Sequence, residues 1–282
     1  MEIEVTDFDL RSSIMSGACF RVFEECDGSF TNILNDRIIN IKQVGNKLII
    51  KSNKENNLKN VIVNYFDLDR DYNKINNEII KCDMKFKDII DKCHGYHILN
   101  QDSFEMYISY IISQNNNVKR ISSSINKLCE LYGEKVLFEG KYYYLFPKYE
   151  DIKNLKEEDF NALRVGFRSK YLVDFLSKYE ELLDLDKFKT EDAFNKLLTI
   201  KGIGPKVASC ILLFGYKRFD VFPIDTWVKK FVSSRYNIKN DYKTIEKFTR
   251  EIFGKHTGLV IQYMYHYNRN INEDRAWLFL HF

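Results

Sequence analysis

The apolar positions of the first 80 residues come in short runs. FDLRSSIMSG, CFRVFEE, SFTNILN, RIINIKQV, KLIIKS and NVIVNYF are β-branched or aromatic and are punctuated by Gly, Asn and Asp, which predicts strands. From about residue 84 the spacing lengthens. FKDIIDKCHG, SFEMYISYIISQNNN, ISSSINKLCELYG, SKYLVDFLSKYEELLD and TEDAFNKLLTI repeat apolar residues at helical intervals, and several end in Gly or Asn. The pattern predicts an α+β protein, with an N-terminal antiparallel β-sheet domain over residues 1–83 packed on a larger helical domain over 84–282. NKENNLKN at 53–60 reads as a polar hairpin loop, and no repeat or low-complexity linker interrupts the chain.

At 282 residues the chain can bury a substantial core, and 45% hydrophobic with 29% charged residues is ordinary for a soluble globular protein. A net charge of +3 permits a polyanionic partner without demanding one. No apolar run approaches the roughly 20 residues of a membrane span. The acidic start MEIEVTDFDL lacks a signal-peptide pattern, so a cytoplasmic protein is expected, with no membrane partner. The six cysteines, Cys19, Cys26, Cys82, Cys93, Cys129 and Cys210, form no C-x-x-C pair. That spacing argues against zinc and against a disulfide framework, and with no cysteine after Cys210 it excludes a four-cysteine iron–sulfur site there. No metal ligand set is expected.

The chemistry concentrates in IKGIGPKVASCILLF, residues 200–214. Gly204 suits a tight turn, Pro205 suits the first position of a helix, and an apolar helix follows as far as Gly215. Lys206 therefore sits at a helix N-terminus, the end the macrodipole makes unfavourable for a cation. Alone, it reads as a solvated lysine. Cys210 follows one turn later on the same face, where a small buried core residue is the plain alternative. FPIDTWVKKFV then places Asp225 ahead of another helical run, as an N-cap or as a carboxylate facing a neighbouring cavity; the two roles are compatible. The turn LTIKGIGPK, with Gly202 and Gly204, offers backbone N–H groups to a phosphate.

LTIKGIGPKVASCI followed by FPIDTW resembles the helix–hairpin–helix, Gly/Pro-Asp superfamily of base-excision glycosylases, and the chain from about residue 8 to 267 is similar to its 8-oxoguanine DNA glycosylase (Ogg) branch. The further matches are SGACFR (16–21), QNNNVKR (114–120), RVGFRSKY (164–171) and GLVIQYMYHY (258–267). The resemblance implies that Lys206 is the nucleophile that attacks the sugar C1′ and forms a Schiff base. A positive helix end and burial would favour its neutral, reactive form. It implies that Asp225 stabilises positive charge developing on the sugar. The flipped base would lie between Cys210 and Tyr265, the latter in a slot where the family has phenylalanine. Gly17 would accept the N7 hydrogen that 8-oxoguanine has and guanine lacks, a hairpin glycine being the alternative. Asn115 would fill the gap in the duplex or, more plainly, cap a helix. Arg120 and Arg168 would read the estranged cytosine, or else touch phosphates or solvent, with Phe167 as a wedge.

Three positions depart from the family pattern. Phe167 stands where many relatives have tyrosine, Trp227 where many have histidine, and Ile261 in the slot of a glutamine that bonds the base edge. Gln262, next to it, is expected to point elsewhere on the helix. The resulting expectation is a monomeric DNA repair enzyme that acts on duplex DNA containing oxidised guanine, with glycosylase and β-lyase activity and no redox cofactor; a structural cation at the hairpin carbonyls is compatible with it. The rivals are a related glycosylase for other oxidised or alkylated bases and a noncatalytic DNA-binding module that uses the hairpin as a phosphate clamp.

Overall fold

The computed structural model describes residues 1–279, with side chains through residue 268; the last residues of the expected helical domain lie outside this range. The N-terminal part runs β1 (Glu2–Glu4), α1 (Leu10–Ile14), β2 (Val22–Glu24), β3 (Phe30–Ile33), β4 (Ile38–Val44), β5 (Lys47–Ser52), α2 (Leu58–Tyr65) and α3 (Tyr72–Cys82). Its five strands form an antiparallel sheet in the order β1-β5-β4-β3-β2, with Ile41 paired to Ile50 on one side and Phe30 on the other. Alternation along the strands puts Ile39, Ile41, Leu48 and Ile50 on one face, where they bury Leu58, Ile62 and Tyr65 of α2.

Four of the six expected strands contain the observed β2 to β5, and two do not. FDLRSSIMSG holds α1, because Asp9 caps it by accepting the Ser12 N–H at 2.6 Å. NVIVNYF belongs to α2: its β-branched run suggests a strand, but the buried residues recur at i, i+4 and i+7 and the tertiary contacts follow that period. After the last strand of the sheet, helix therefore begins at 58, earlier than the expected change near 84, and α3, capped by Asp71 on the Lys74 N–H at 2.8 Å, continues it. The polar stretch 53–60 is correspondingly a loop only as far as Asn57, whose φ of +56° turns the chain into α2.

The helical body follows as α4 (Lys87–Lys92), α5 (Ser103–Ser113), α6 (Val118–Tyr132), β6 (Lys135–Phe138), β7 (Lys141–Tyr144), α7 (Tyr149–Ile152), α8 (Ser169–Lys178), α9 (Thr190–Leu197), α10 (Pro205–Tyr216), α11 (Thr226–Tyr236), α12 (Tyr242–Phe253) and α13 (Thr257–Phe279). α5 is buried continuously from Phe104 to Ile112 and α10 from Val207 to Phe214, as expected of helices apolar on all sides that form the centre of a core. They cross closely at Gly215, where a Cβ would come within 3.1 Å of Ser103. The β6–β7 hairpin was not legible as strands. It folds back on the sheet, closing a small core of Ile33, Ile38, Phe138 and Leu145, with Lys51–Glu139 at 2.6 Å and Lys141–Glu25 at 3.1 Å along its rim. The N-terminal sheet domain thus packs against the larger helical domain, and among the described residues no helix is long and apolar enough to cross a membrane.

Candidate active site

The connection between α9 and α10 is a helix–hairpin–helix turn. Gly202 has φ +83°, and a Cβ there would meet the Tyr171 ring at 2.3 Å, so the position admits only glycine. Gly204, the N-cap of α10, faces open space. The Lys201 N–H donates to Asp174 Oδ2 at 2.7 Å, which ties the turn to α8, while the N–H groups of Gly202 and Gly204 have no partner among the described residues. The turn already holds a cation of the chain's own, since the Lys178 ammonium lies 3.1 Å from Thr199 O and 2.9 Å from Asp174.

Beside this turn a cavity of about 380 Å³ opens between six segments: the Ser16–Ala18 loop, α5 and the asparagines after it, the start of α6, α10, the start of α11, and α13. Lys206, half-buried, lines it, with Nζ 5.3 Å from the centre of the Tyr110 ring. Cys210 lies one turn deeper and is 3% exposed. Burial pushes its thiol up; Lys206 beside it pulls the other way and Asp225 pushes up again. Burial thus favours the protonated thiol.

Asp225 lines the same cavity and is also the cap expected of it, with Oδ1 accepting the Val228 N–H at 2.8 Å. Capping fixes the carboxylate and leaves Oδ2 without a partner among the described residues. Gly17, with φ +87°, forms the opposite wall beside Ser16 and Ala18. Trp227 stands at the rim, 56% exposed, with Lys230 Nζ 5.7 Å from its ring.

On α13 the structure corrects the expected register. Ile261 is fully buried in the helical core and does not line the cavity. Gln262 does, together with Tyr265 three residues on. It is 9% exposed, and its carboxamide has no hydrogen-bond partner among the described residues. The i,i+3 spacing from Tyr265 was the signal available for it. Phe214 was missed as well, although it continues the face of Lys206 and Cys210 at i+8 and i+4; its ring stacks on Tyr110 at 5.6 Å and 8°.

The remaining expected residues meet at one edge of the cavity mouth, next to Asn116 and Asn117, which line it. Asn115 is exposed just beyond α5 with φ +47°, a left-handed turn that suits asparagine. Phe167 projects, 52% exposed, its ring 4.6 Å from the Arg168 guanidinium. Arg168 itself turns inward at 8% exposure, donating to Gln114 O at 2.8 Å, Val165 O at 2.9 Å and Asn115 O at 3.0 Å. It therefore fastens the 114–115 turn to the Phe167 segment. Burial and then the nearby Arg120 charge both lower its pKa. Arg120 is exposed at the first turn of α6, its N–H held by Asn117 Oδ1 at 3.0 Å.

Comparison with known proteins agrees with this architecture. Residues 1–107 match the family of the 8-oxoguanine DNA glycosylase N-terminal domain, and residues 108–255 match the HhH-GPD superfamily of base excision DNA repair proteins. A probable N-glycosylase/DNA lyase of Methanothermobacter thermautotrophicus is 26% identical over 95% of this chain and 96% of its own. The Clostridium acetobutylicum 8-oxoguanine glycosylase/lyase, solved with double-stranded DNA containing cytosine opposite 8-oxoG, superposes with a TM-score of 0.89 at 35% identity, covering 96% of this chain and 98% of that one. A 3-methyladenine DNA-glycosylase from Archaeoglobus fulgidus shares the fold, with a TM-score of 0.78 at 20% identity over 95% and 98% of the two chains. The hairpin, the lysine–aspartate cavity and these matches together make the chain a member of the HhH-GPD superfamily, a DNA glycosylase that acts on damaged DNA and carries the N-terminal domain of the 8-oxoguanine DNA glycosylases.

Proposed function

We propose that this glycosylase excises 8-oxoguanine from duplex DNA and then nicks the strand through a Schiff base on Lys206, acting as a monomer. The observation that carries the reading is that an amine, a fixed carboxylate and a glycine-bearing wall face one cavity large enough for a base. Chemistry at C1′ requires the nucleotide to leave the stack, and the unpartnered N–H groups of the hairpin suit the phosphates beside it. The neutral Lys206 amine attacks C1′ as the bond to the base breaks, and the base departs with the electron pair and takes up a proton. Oδ2 of Asp225 stabilises the positive charge on the sugar as that bond lengthens. Loss of the amine proton and opening of the sugar ring give the Schiff base. Removal of a C2′ proton then expels the 3′ phosphate, and hydrolysis returns the lysine.

Recognition is divided between two walls. A backbone carbonyl at Gly17 accepts N7–H of 8-oxoguanine, whereas guanine presents an acceptor there and two lone pairs meet. Gln262, opposite, offers an acceptor and a donor to the edge of the base. Cys210 and Tyr265 bracket its faces. At the mouth, Asn115 and Phe167 enter the gap, and Arg120 contacts the opposite base.

The test is borohydride trapping on a duplex bearing 8-oxoguanine opposite each of the four bases, with a 3-methyladenine duplex as control. Wild-type protein should form a covalent adduct on 8-oxoguanine, and Lys206→Gln should bind the duplex and form none. Trapping that persists in Lys206→Gln removes the lysine from its role, and release of 3-methyladenine alone removes the substrate.

A further inference from the structure

We propose that the buried pair Arg21–Glu105 is a positioning device that sets the Ser16–Ala18 wall of the base cavity, and so governs base recognition without touching the base. This rests on the recognition role given above to Gly17. The wall is a partition between two spaces. Gly17 and Ala18 face the base cavity, while Cys19 and Glu105 line a second cavity of about 430 Å³ behind it. Ala18 and Phe20 pack into the helical core and Cys19 into the sheet core, but the strip between the two cavities is one residue thick, so its exact position is also set by polar anchors.

The anchors include Cys19, whose Sγ lies 3.6 Å from Asn32 Oδ1 and 3.5 Å from Tyr65 OH, and two more. Gln101 Nε2 donates to Ala18 O at 3.0 Å. Arg21, 1% exposed, donates to the carbonyl of Tyr144 at the end of β7, lies 3.7 Å from Glu105 on α5, and sits 5.7 Å from the centre of the Phe146 ring. Among the described residues its Nε and the terminal nitrogen nearest Glu105 have no hydrogen-bond partner, so the carboxylate serves as its counter-charge. A guanidinium this deep without a counter-charge must find other acceptors, and the wall attached to it moves.

The groups around Glu105 are Arg21 from the wall, Asp102 at the cap of its own helix, Cys19, Tyr65 on α2 and Cys129 on α6. Burial raises the carboxyl to about 7, Arg21 opposing and Asp102 adding to the rise. The counter-charge is thus present above neutrality and withdrawn below it.

The experiment compares single-turnover base excision from an 8-oxoguanine duplex with strand cleavage at a preformed abasic site, from pH 6 to 9. Cleavage at the abasic site uses Lys206 but presents no base to the wall. Wild-type excision should rise through an ionisation near pH 7. Glu105→Gln should lose that limb and excise at least tenfold more slowly at pH 8 while cleaving the abasic site at the wild-type rate. The double variant Arg21→Met, Glu105→Leu removes both charges, and should show the same selective loss even if the single variant folds poorly. Unchanged excision in both, or an equal fall in both reactions, overturns the proposal. If wild-type protein releases 3-methyladenine and not 8-oxoguanine, the proposed substrate fails, and the same comparison on that duplex decides the role of the pair.

Discussion

Gln262 and Tyr265 look into one cavity from adjacent turns of α13, while Ile261 faces the core on the other side of the helix. An amide that is 9% exposed and without a partner among the described residues gains most when a base supplies one. Gln262→Leu should therefore slow excision of 8-oxoguanine by about 10- to 100-fold, the loss of hydrogen bonds worth about 1.5–3 kcal/mol, and leave abasic-site cleavage unchanged. Ile261→Gln buries an amide at a site of 0% exposure and should cost about 2 kcal/mol or more in denaturant unfolding with no gain in excision. Faster excision in Ile261→Gln would return the base-edge contact to that position.

Asp225 holds a helix start and a cavity wall with the same carboxylate. Asn caps as well as Asp but carries no charge, so Asp225→Asn should preserve the melting temperature and lower single-turnover excision by about 10²–10³-fold. Asp225→Ala should show that kinetic loss and a further destabilisation of about 1 kcal/mol. Normal excision by the asparagine variant would leave Asp225 as a cap alone.

The two hairpin glycines should separate folding from binding. Gly202→Ala drives a methyl into Tyr171 at a φ of +83° and should destabilise the protein by about 1–3 kcal/mol. Gly204→Ala, at a φ of −97° with open space around it, should fold normally yet weaken duplex binding if the hairpin holds a phosphate as proposed, since its methyl would stand in that open space. Thermal melts and a salt titration of duplex affinity distinguish the two.

What the sequence made legible was what local spacing determines. Lys206, Cys210 and Asp225 lie on helix starts whose turn residues are unambiguous, and the cavity gathers all three. The failures are places where tertiary contacts overrule local preference. The β-branched run Val61–Ile62–Val63 is helical because the sheet buries Leu58, Ile62 and Tyr65 on one face. Ile261 was placed by alignment of a motif, but which of two adjacent residues faces a cavity depends on the rotation of α13 against its neighbours, which no motif encodes. That Arg168 turns inward to three carbonyls, two of them in the 114–115 turn, is a tertiary arrangement its own segment does not announce. The Arg21–Glu105 pair joins residues 84 positions apart and leaves no periodic trace.

Glu105 also makes the stability of the fold depend on pH in a direction opposite to its effect on excision. Its carboxyl is raised from the ordinary 4.5 to about 7, so between those values the folded protein keeps a proton that the unfolded chain has released. The stabilisation is complete below about pH 4.5 and is lost as pH rises through about 7. Between pH 5 and 8 this amounts to roughly 2–3 kcal/mol. Glu105→Gln cannot ionise, so its unfolding free energy relative to wild type should move in the variant's favour by that amount over the same interval, measured by denaturant titration at each pH. Because wild-type excision is expected to improve as its stability declines, the two profiles cross. A variant whose stability difference from wild type stays constant between pH 5 and 8 would show that Glu105 is already ionised at the lower value, and that the withdrawal of its charge near neutrality does not occur.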